Sequence, residues 1–126
     1  MQTTICPCGL GKEYSICCKP YHIKQYSAQT PELLMRSRYT AYVFQLITYL
    51  IDTTHPSTRN LYDSKAIRNW AKSNTWLRLE ILLAKDDKVE FKAFYENDKQ
   101  LNIHHELSTF SLEKGKWYYL AGTYFD

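Results

Sequence analysis

All four cysteines of the chain fall between residues 6 and 18, in the run Cys6-Pro7-Cys8-Gly9-Leu10-Gly11-Lys12-Glu13-Tyr14-Ser15-Ile16-Cys17-Cys18. Two thiolate pairs separated by an eight-residue loop can converge on one tetrahedral Zn(II), at Zn–S distances of about 2.3 Å. Gly9 and Gly11 suit such a loop, because they adopt the positive φ values that turn a chain sharply around a metal. Lys12 and Lys19 stand beside the site, where they offset its negative charge. The competing readings are two disulfides, four free thiols or a redox pair. The first twenty residues hold four Cys, two Pro and two Gly and no continuous apolar stretch, so no secretory signal is expected and the cytoplasm is the default compartment. Permanent disulfides are disfavoured there, and a segment this short has almost no core without a metal. One Zn(II) per chain is therefore expected on Cys6, Cys8, Cys17 and Cys18. Adjacent residues project differently, so Cys17 and Cys18 share an ion only at a tight turn or helix start. His22 is the alternative fourth ligand, and Cys18 is preferred because a lone His near a helix more often serves structure.

A second group of reactive types is His104-His105-Glu106. On a strand, neighbours point to opposite faces, so only His104 and Glu106 share a side. Glu106 also shares a side with Ser108 and Phe110, and if Phe110 faces the core so does the carboxylate. The expected arrangement is exposed histidines flanking a partly buried Glu106, with Arg36 or Arg38 as its direct partner, keeping it ionised. His55, before Pro56, reads as a residue satisfying backbone at a helix end. Tyr39, Tyr42 and Tyr49 read as core. No phosphate loop, nucleophile elbow or pair of distant carboxylates is present, and a noncatalytic protein is the first expectation.

The elements that must position these groups follow from periodicity. Thr30-Pro31-Glu32 reads as a helix start, with Thr30 as N-cap and Pro31 at the first helical position. Met35, Tyr39, Tyr42, Leu46 and Tyr49 then form a stripe, widened by Val43 and Leu50. That segment either runs to about Thr54 or breaks near Gln45, and His55-Pro56 ends it. A second helix is expected from Ser64 to Ser73, capped by Ser64, with Ile67, Trp70 and Ala71 inward. From Trp76 the period becomes two, with Leu77, Leu79, Ile81 and Leu83 on one side. Three more strands are expected, about Lys88 to Glu96, Gln100 to Leu112 and Lys116 to Tyr124, separated by turns at Asp86-Asp87, Asn97-Asp98 and Lys114-Gly115. Helices followed by a meander give an α+β architecture.

With 126 residues the chain has room for one domain and a small appendage. Eleven Tyr, three Trp and five Phe favour strands and cavity walls. The formal charge of +3 falls to about +1 with a four-thiolate zinc site. Residues 1–83 carry ten Lys or Arg against five Asp or Glu, and residues 84–126 six against eight. Global charge thus argues little for nucleic-acid binding, which ranks third among the functions considered. No run approaches the length and apolarity of a membrane span.

The pattern C-x-C-G-x-G-K-x-Y-x-x-C-C resembles the SEC-C motif, the zinc module at the carboxyl end of bacterial SecA. Leu34-Met35-Arg36-Ser37-Arg38-Tyr39-Thr40-Ala41-Tyr42, His55-Pro56-Ser57, Glu106-x-Ser108-x-Phe110 and Gly115-x-Trp117-Tyr118-Tyr119-x-x-Gly122 resemble the YchJ family of uncharacterised bacterial proteins. Leu10 stands where the motif usually has Ser, and longer members continue into a second SEC-C motif. The resemblance implies a zinc module over 1–26 and, over 27–126, a nuclear transport factor 2-like cone whose curved four-stranded antiparallel sheet wraps helices, with residues 23–29 as hinge. It also motivates the leading functional expectation, a noncatalytic adaptor. In that reading the zinc module, with Lys12, Lys19 and Lys24, presents a surface to a protein partner, and the ribosome or secretion chaperones are the partners implied. The alternative is a small-ligand receptor or enzyme using the cone cavity near Glu106. A deep pocket with a polar base there favours this alternative; a filled interior favours the adaptor.

Overall fold

The computed structural model describes residues 4–125. A 3-10 turn at Tyr14–Ile16 and a short helix α1 (Lys19–His22) follow the cysteine loop. Then come α2 (Pro31–Val43), α3 (Ile47–Asp52), α4 (Pro56–Arg59), α5 (Ser64–Ser73) and strands β1 (Thr75–Lys85), β2 (Lys88–Asn97), β3 (Gln100–Glu113) and β4 (Lys116–Phe125). The strands form one antiparallel meander in the order β1-β2-β3-β4. Among the described residues no helix is long and apolar enough to cross a membrane.

Helix α2 begins as expected, with Thr30 Oγ1 accepting from the Leu33 amide at 3.1 Å. It ends at Val43, and Gln45 just beyond takes a φ of 58° and turns the chain back into α3; of the two expected alternatives, the break is the one adopted. α5 spans Ser64–Ser73, but its cap is Asp63, whose side chain accepts from the Lys65 amide; Ser64 is the first helical residue. Ala71 is buried while Trp70 is 38% exposed.

α2 is buried on two sides. Met35 and Tyr39 pack on the sheet with Val89, Phe91, Ala93, Phe110 and Tyr119. Ser37, fully buried, turns its hydroxyl to Tyr49 Oη of α3 at 2.6 Å, while the equally buried Thr40 faces the cysteine segment. There Cys6 Sγ lies 3.7 Å from Thr40 Oγ1, Arg36 Nη1 donates to the Cys8 carbonyl at 2.6 Å, and His22 Nε2 donates to the Ser37 carbonyl at 2.8 Å. Ala28, within the expected hinge, is buried in the main core. Residues 23–29 thus connect two parts already tied by side-chain contacts.

Two strands depart from simple alternation. In β1 the register shifts between Trp76 and Arg78 and between Ile81 and Leu83, so Leu77 and Leu82 are extra residues. Leu79 and Ile81 pack on the core, but Leu77 and Leu83, expected beside them, are 50% and 49% exposed. In β4 the register shifts opposite Thr109 and Phe110, leaving Leu120 extra. Tyr119, Gly122 and Tyr124 therefore lie on one face of the sheet, the face that carries Glu106, Ser108 and Phe110.

Candidate functional site

The structure presents two sites, one on each side of α2. At the first, the Sγ atoms of Cys6, Cys8, Cys17 and Cys18 all lie within 4.8 Å of one another and all four residues are buried. Gly9 and Gly11 take φ values of 92° and 80°, as the loop requires. Cys17 and Cys18 converge because the 3-10 turn runs directly into α1, with Cys18 as its N-cap. Ligands about 2.3 Å from a tetrahedral centre lie about 3.8 Å apart, and the Cys8–Cys17 separation of 3.5 Å is far above a disulfide length of about 2.05 Å. The donor set therefore fits a tetrahedral thiophilic metal. Burial, with Cys8 and Cys6 alongside, pushes the Cys17 thiol up to about 12. Hydrogen bonds from Cys18 and Cys8 pull the Cys6 thiol down. Four sulfurs this close could all be thiolates only with a cation among them. His22 stands outside the group: its Nδ1 is 2.7 Å from Tyr14 Oη and its Nε2 binds the Ser37 carbonyl.

The second site is a cavity of about 260 Å³ between α2, α5 and the concave face of the sheet. Its walls are aromatic. Trp70, Trp76 and Tyr42 meet edge-on or tilted at centroid distances of 5.0–5.8 Å, and Trp70 and Tyr124, 38% and 63% exposed, form the rim. Its base is polar and holds Glu106, which is only 4% exposed. Ser108 Oγ and Tyr119 Oη donate to Glu106 Oε2 at 2.6 and 2.8 Å, and His104 Nε2 donates to Oε1 at 2.8 Å. Burial alone would push this carboxyl up, but the bonds from His104, Ser108 and Tyr119 outweigh it and hold the group below its ordinary value. An ionised carboxylate needs a proton on the facing nitrogen, so His104 carries one on Nε2; its Nδ1 has no hydrogen-bond partner among the described residues. Burial chiefly, and then the charge of Glu106 beside it, raise the phenol of Tyr119.

The expected pairing of Glu106 with Arg36 or Arg38 does not occur. Arg36 bonds Glu32 and the Cys8 carbonyl. Arg38 Nη1 donates to the Leu50 carbonyl at 2.9 Å and to Thr53 Oγ1 at 2.7 Å. The reason is the break at Gln45: α3 folds back and brings its carboxyl end, with free carbonyls and the negative end of its dipole, to the guanidinium. Arg38 nonetheless lines the same cavity, 4.6 Å over the Tyr119 ring. His105 turns to the opposite face and bonds Glu90 at 2.7 Å. His55 accepts from the Ser57 amide at the start of α4 and bonds Glu113 through Nε2.

A family model described as "YchJ, middle NTF2-like domain" matches residues 30–122. The chain belongs to the YchJ family. Similar proteins are carried as UPF0225 proteins in Geobacter sulfurreducens, 42% identical over 95% of this chain and 79% of that one, and in Haemophilus influenzae, 40% identical over 94% and 77%. Two solved structures of SEC-C motif containing proteins resemble it closely. One, from Rhodopseudomonas palustris, has a TM-score of 0.88 at 38% identity and covers 98% of this chain and 100% of that one. The other, from Psychrobacter arcticus, has a TM-score of 0.83 at 36% identity and covers 100% and 84%. The α+β fold with an NTF2-like domain and a clustered-cysteine SEC-C module is thus shown for this YchJ chain.

Reasoning from the sequence missed Tyr119 and Tyr124 as site residues, because only the extra residue at Leu120 puts them on the Glu106 face. Trp76 was hidden by the bulge at Leu77. The spacing His104-x-Glu106-x-Ser108 was the available signal for the base. Gly122, across from Ser108, completes the site by having no side chain: a Cβ there would overlap the Glu106 carboxylate and lie 2.7 Å from Tyr119 Oη. Gly122→Ala should destabilise the fold by about 3 kcal/mol through this overlap, measured by urea unfolding; an unchanged midpoint would show that the carboxylate is not confined as described.

Proposed function

We propose that this YchJ chain is a zinc-stapled small-ligand-binding protein, whose ligand enters the aromatic cavity over Glu106. The carrying observation is the cavity itself: an NTF2-like interior of this size, left open, with convergent polar groups at its base and aromatic walls, is the form a ligand site takes. His104 adds a chemical capacity. Its Nε2 is held by Glu106 and its Nδ1 has no partner, so the ring is oriented to accept a hydrogen bond or a proton from whatever occupies the cavity. Benzamide, a neutral single-ring probe, should produce saturable shifts in the amide resonances of Phe91, Ala93 and Ser108, and Ala93→Leu, which fills the cavity, should abolish them. Shifts confined to other residues, or none, would remove the ligand reading.

The same proposal assigns Zn(II) to Cys6, Cys8, Cys17 and Cys18, one ion per chain, on the strength of four buried sulfurs with tetrahedral spacing and of hydrogen bonds from α2 to the loop. The metal would hold the loop against Arg36, Ser37 and Thr40, and so fix the helix that carries Arg38 and Tyr42 to the cavity. An adaptor role is the second reading, supported by Leu10 and Ile16 of the module, 40% and 65% exposed. Elemental analysis should find one zinc per chain. Cys8→Ser should lose it and lower the melting temperature of the whole chain, because the module and α2 share packing. Zinc retained in full, or an unmoved melting temperature, would contradict the assignment; a macromolecular partner that dissociates on the same substitution would favour the adaptor.

A further inference from the structure

We infer that the cavity is built for a small aromatic anion, a ring bearing a carboxylate or similar oxyanion, with Arg38 as the residue that reads its charge. This rests on the ligand-binding reading above and specifies the class of ligand.

The cavity carries two charged groups with unlike environments. Glu106 is satisfied, since three donors at 2.6–2.8 Å occupy its two oxygens. Arg38 is 6% exposed, and among the described residues its hydrogen bonds all leave from Nη1 toward neutral oxygens of Leu50, Thr53 and Thr54. Its Nε and Nη2 have no partner among the described residues, and no carboxylate lies within ion-pair distance of it there. Buried cations are ordinarily paired, so a guanidinium lining an open cavity with unused donors marks where a negative group belongs. Beside it, Tyr42 Oη is a second unpartnered donor on the same wall. A guanidinium presents its donors as a fork that matches the two oxygens of a carboxylate.

A cation held by the aromatic walls and Glu106 is the weaker alternative. Glu106 would repel an anion as Arg38 would a cation, but the charge of Glu106 is already met by three donors, whereas that of Arg38 is met only by neutral oxygens and the Tyr119 ring. The walls instead suit a flat ring, which Trp70, Trp76 and Tyr42 can meet edge or face.

The test uses three probes of nearly the same shape: benzoate, benzamide and benzamidine, titrated into the zinc-loaded chain and followed by amide shifts and by the Arg38 Nε–H resonance. Benzoate should bind about tenfold more tightly than benzamide, as charge-assisted hydrogen bonds exceed neutral ones, and should move the Arg38 Nε–H signal; benzamidine should be weakest. Arg38→Met should erase the preference for benzoate. Equal affinity for benzoate and benzamide, a preference for benzamidine, or a benzoate preference that survives Arg38→Met would overturn the inference while leaving the ligand reading intact. Should Arg38→Met fail to fold, the Nε–H signal of the unsubstituted chain decides, and an unmoved signal on benzoate saturation overturns the inference. Failure of all three probes to bind would remove the ligand reading itself.

Discussion

A carboxylate with almost no access to water governs the interior of this protein. Dehydrating such a group costs several kcal/mol even after relaxation, and each hydrogen bond to a charge returns about 1.5–3 kcal/mol. Three donors are therefore about what Glu106 needs. Supplying them imposes a series of constraints. His104 and Ser108 must lie two residues to either side on β3, Tyr119 must turn inward at the extra residue Leu120, and position 122 must lack a side chain. These polar residues occupy the concave face where a sheet packed on helices would otherwise carry apolar ones, and the helices cannot close down on them. An open cavity is the consequence.

Helix α2 connects this cavity to the cysteine cluster. Successive residues serve opposite sides: Arg36, Thr40 and the Ser37 carbonyl hold the cysteine loop and α1, while Met35, Arg38 and Tyr39 face the cavity and sheet. Order at the cluster is thereby order at the cavity wall, which gives the module a structural task within the domain whatever its surface touches. The pH response follows from Glu106. Its carboxyl is held below the ordinary value in the folded chain, so its contribution to stability is present above the unfolded pKa and is lost as pH falls through the folded one.

Much of this was legible in the residues. The cysteine spacing with Gly9 and Gly11 described a loop around four sulfurs, Thr30-Pro31 placed the start of α2, and turn residues placed every strand to within about two positions. His104-x-Glu106-x-Ser108, read with period two, put the right three side chains on one face. What escaped was set by long-range geometry. Arg38 went to the carboxyl end of α3 rather than to Glu106, because a turn at Gln45 decides where that end lies. Extra residues at Leu77, Leu82 and Leu120 leave no local trace, since each is an ordinary apolar residue in an ordinary apolar run. They nevertheless decide that Trp76, Tyr119 and Tyr124, rather than a filled core, surround the carboxylate.

The central claim is that Glu106 stands ionised beneath the cavity on hydrogen bonds from His104, Ser108 and Tyr119, without an arginine. It is tested most directly by following the carboxyl carbon of Glu106 in ¹³C-labelled protein through an acid titration, alongside Glu106-bonded Tyr119→Phe. The account predicts a carboxylate signal that persists below the pH at which ordinary glutamates titrate, and a midpoint that rises when the Tyr119 hydroxyl is removed. A carboxyl that is already protonated near neutral pH, or a midpoint indifferent to Tyr119, would contradict it.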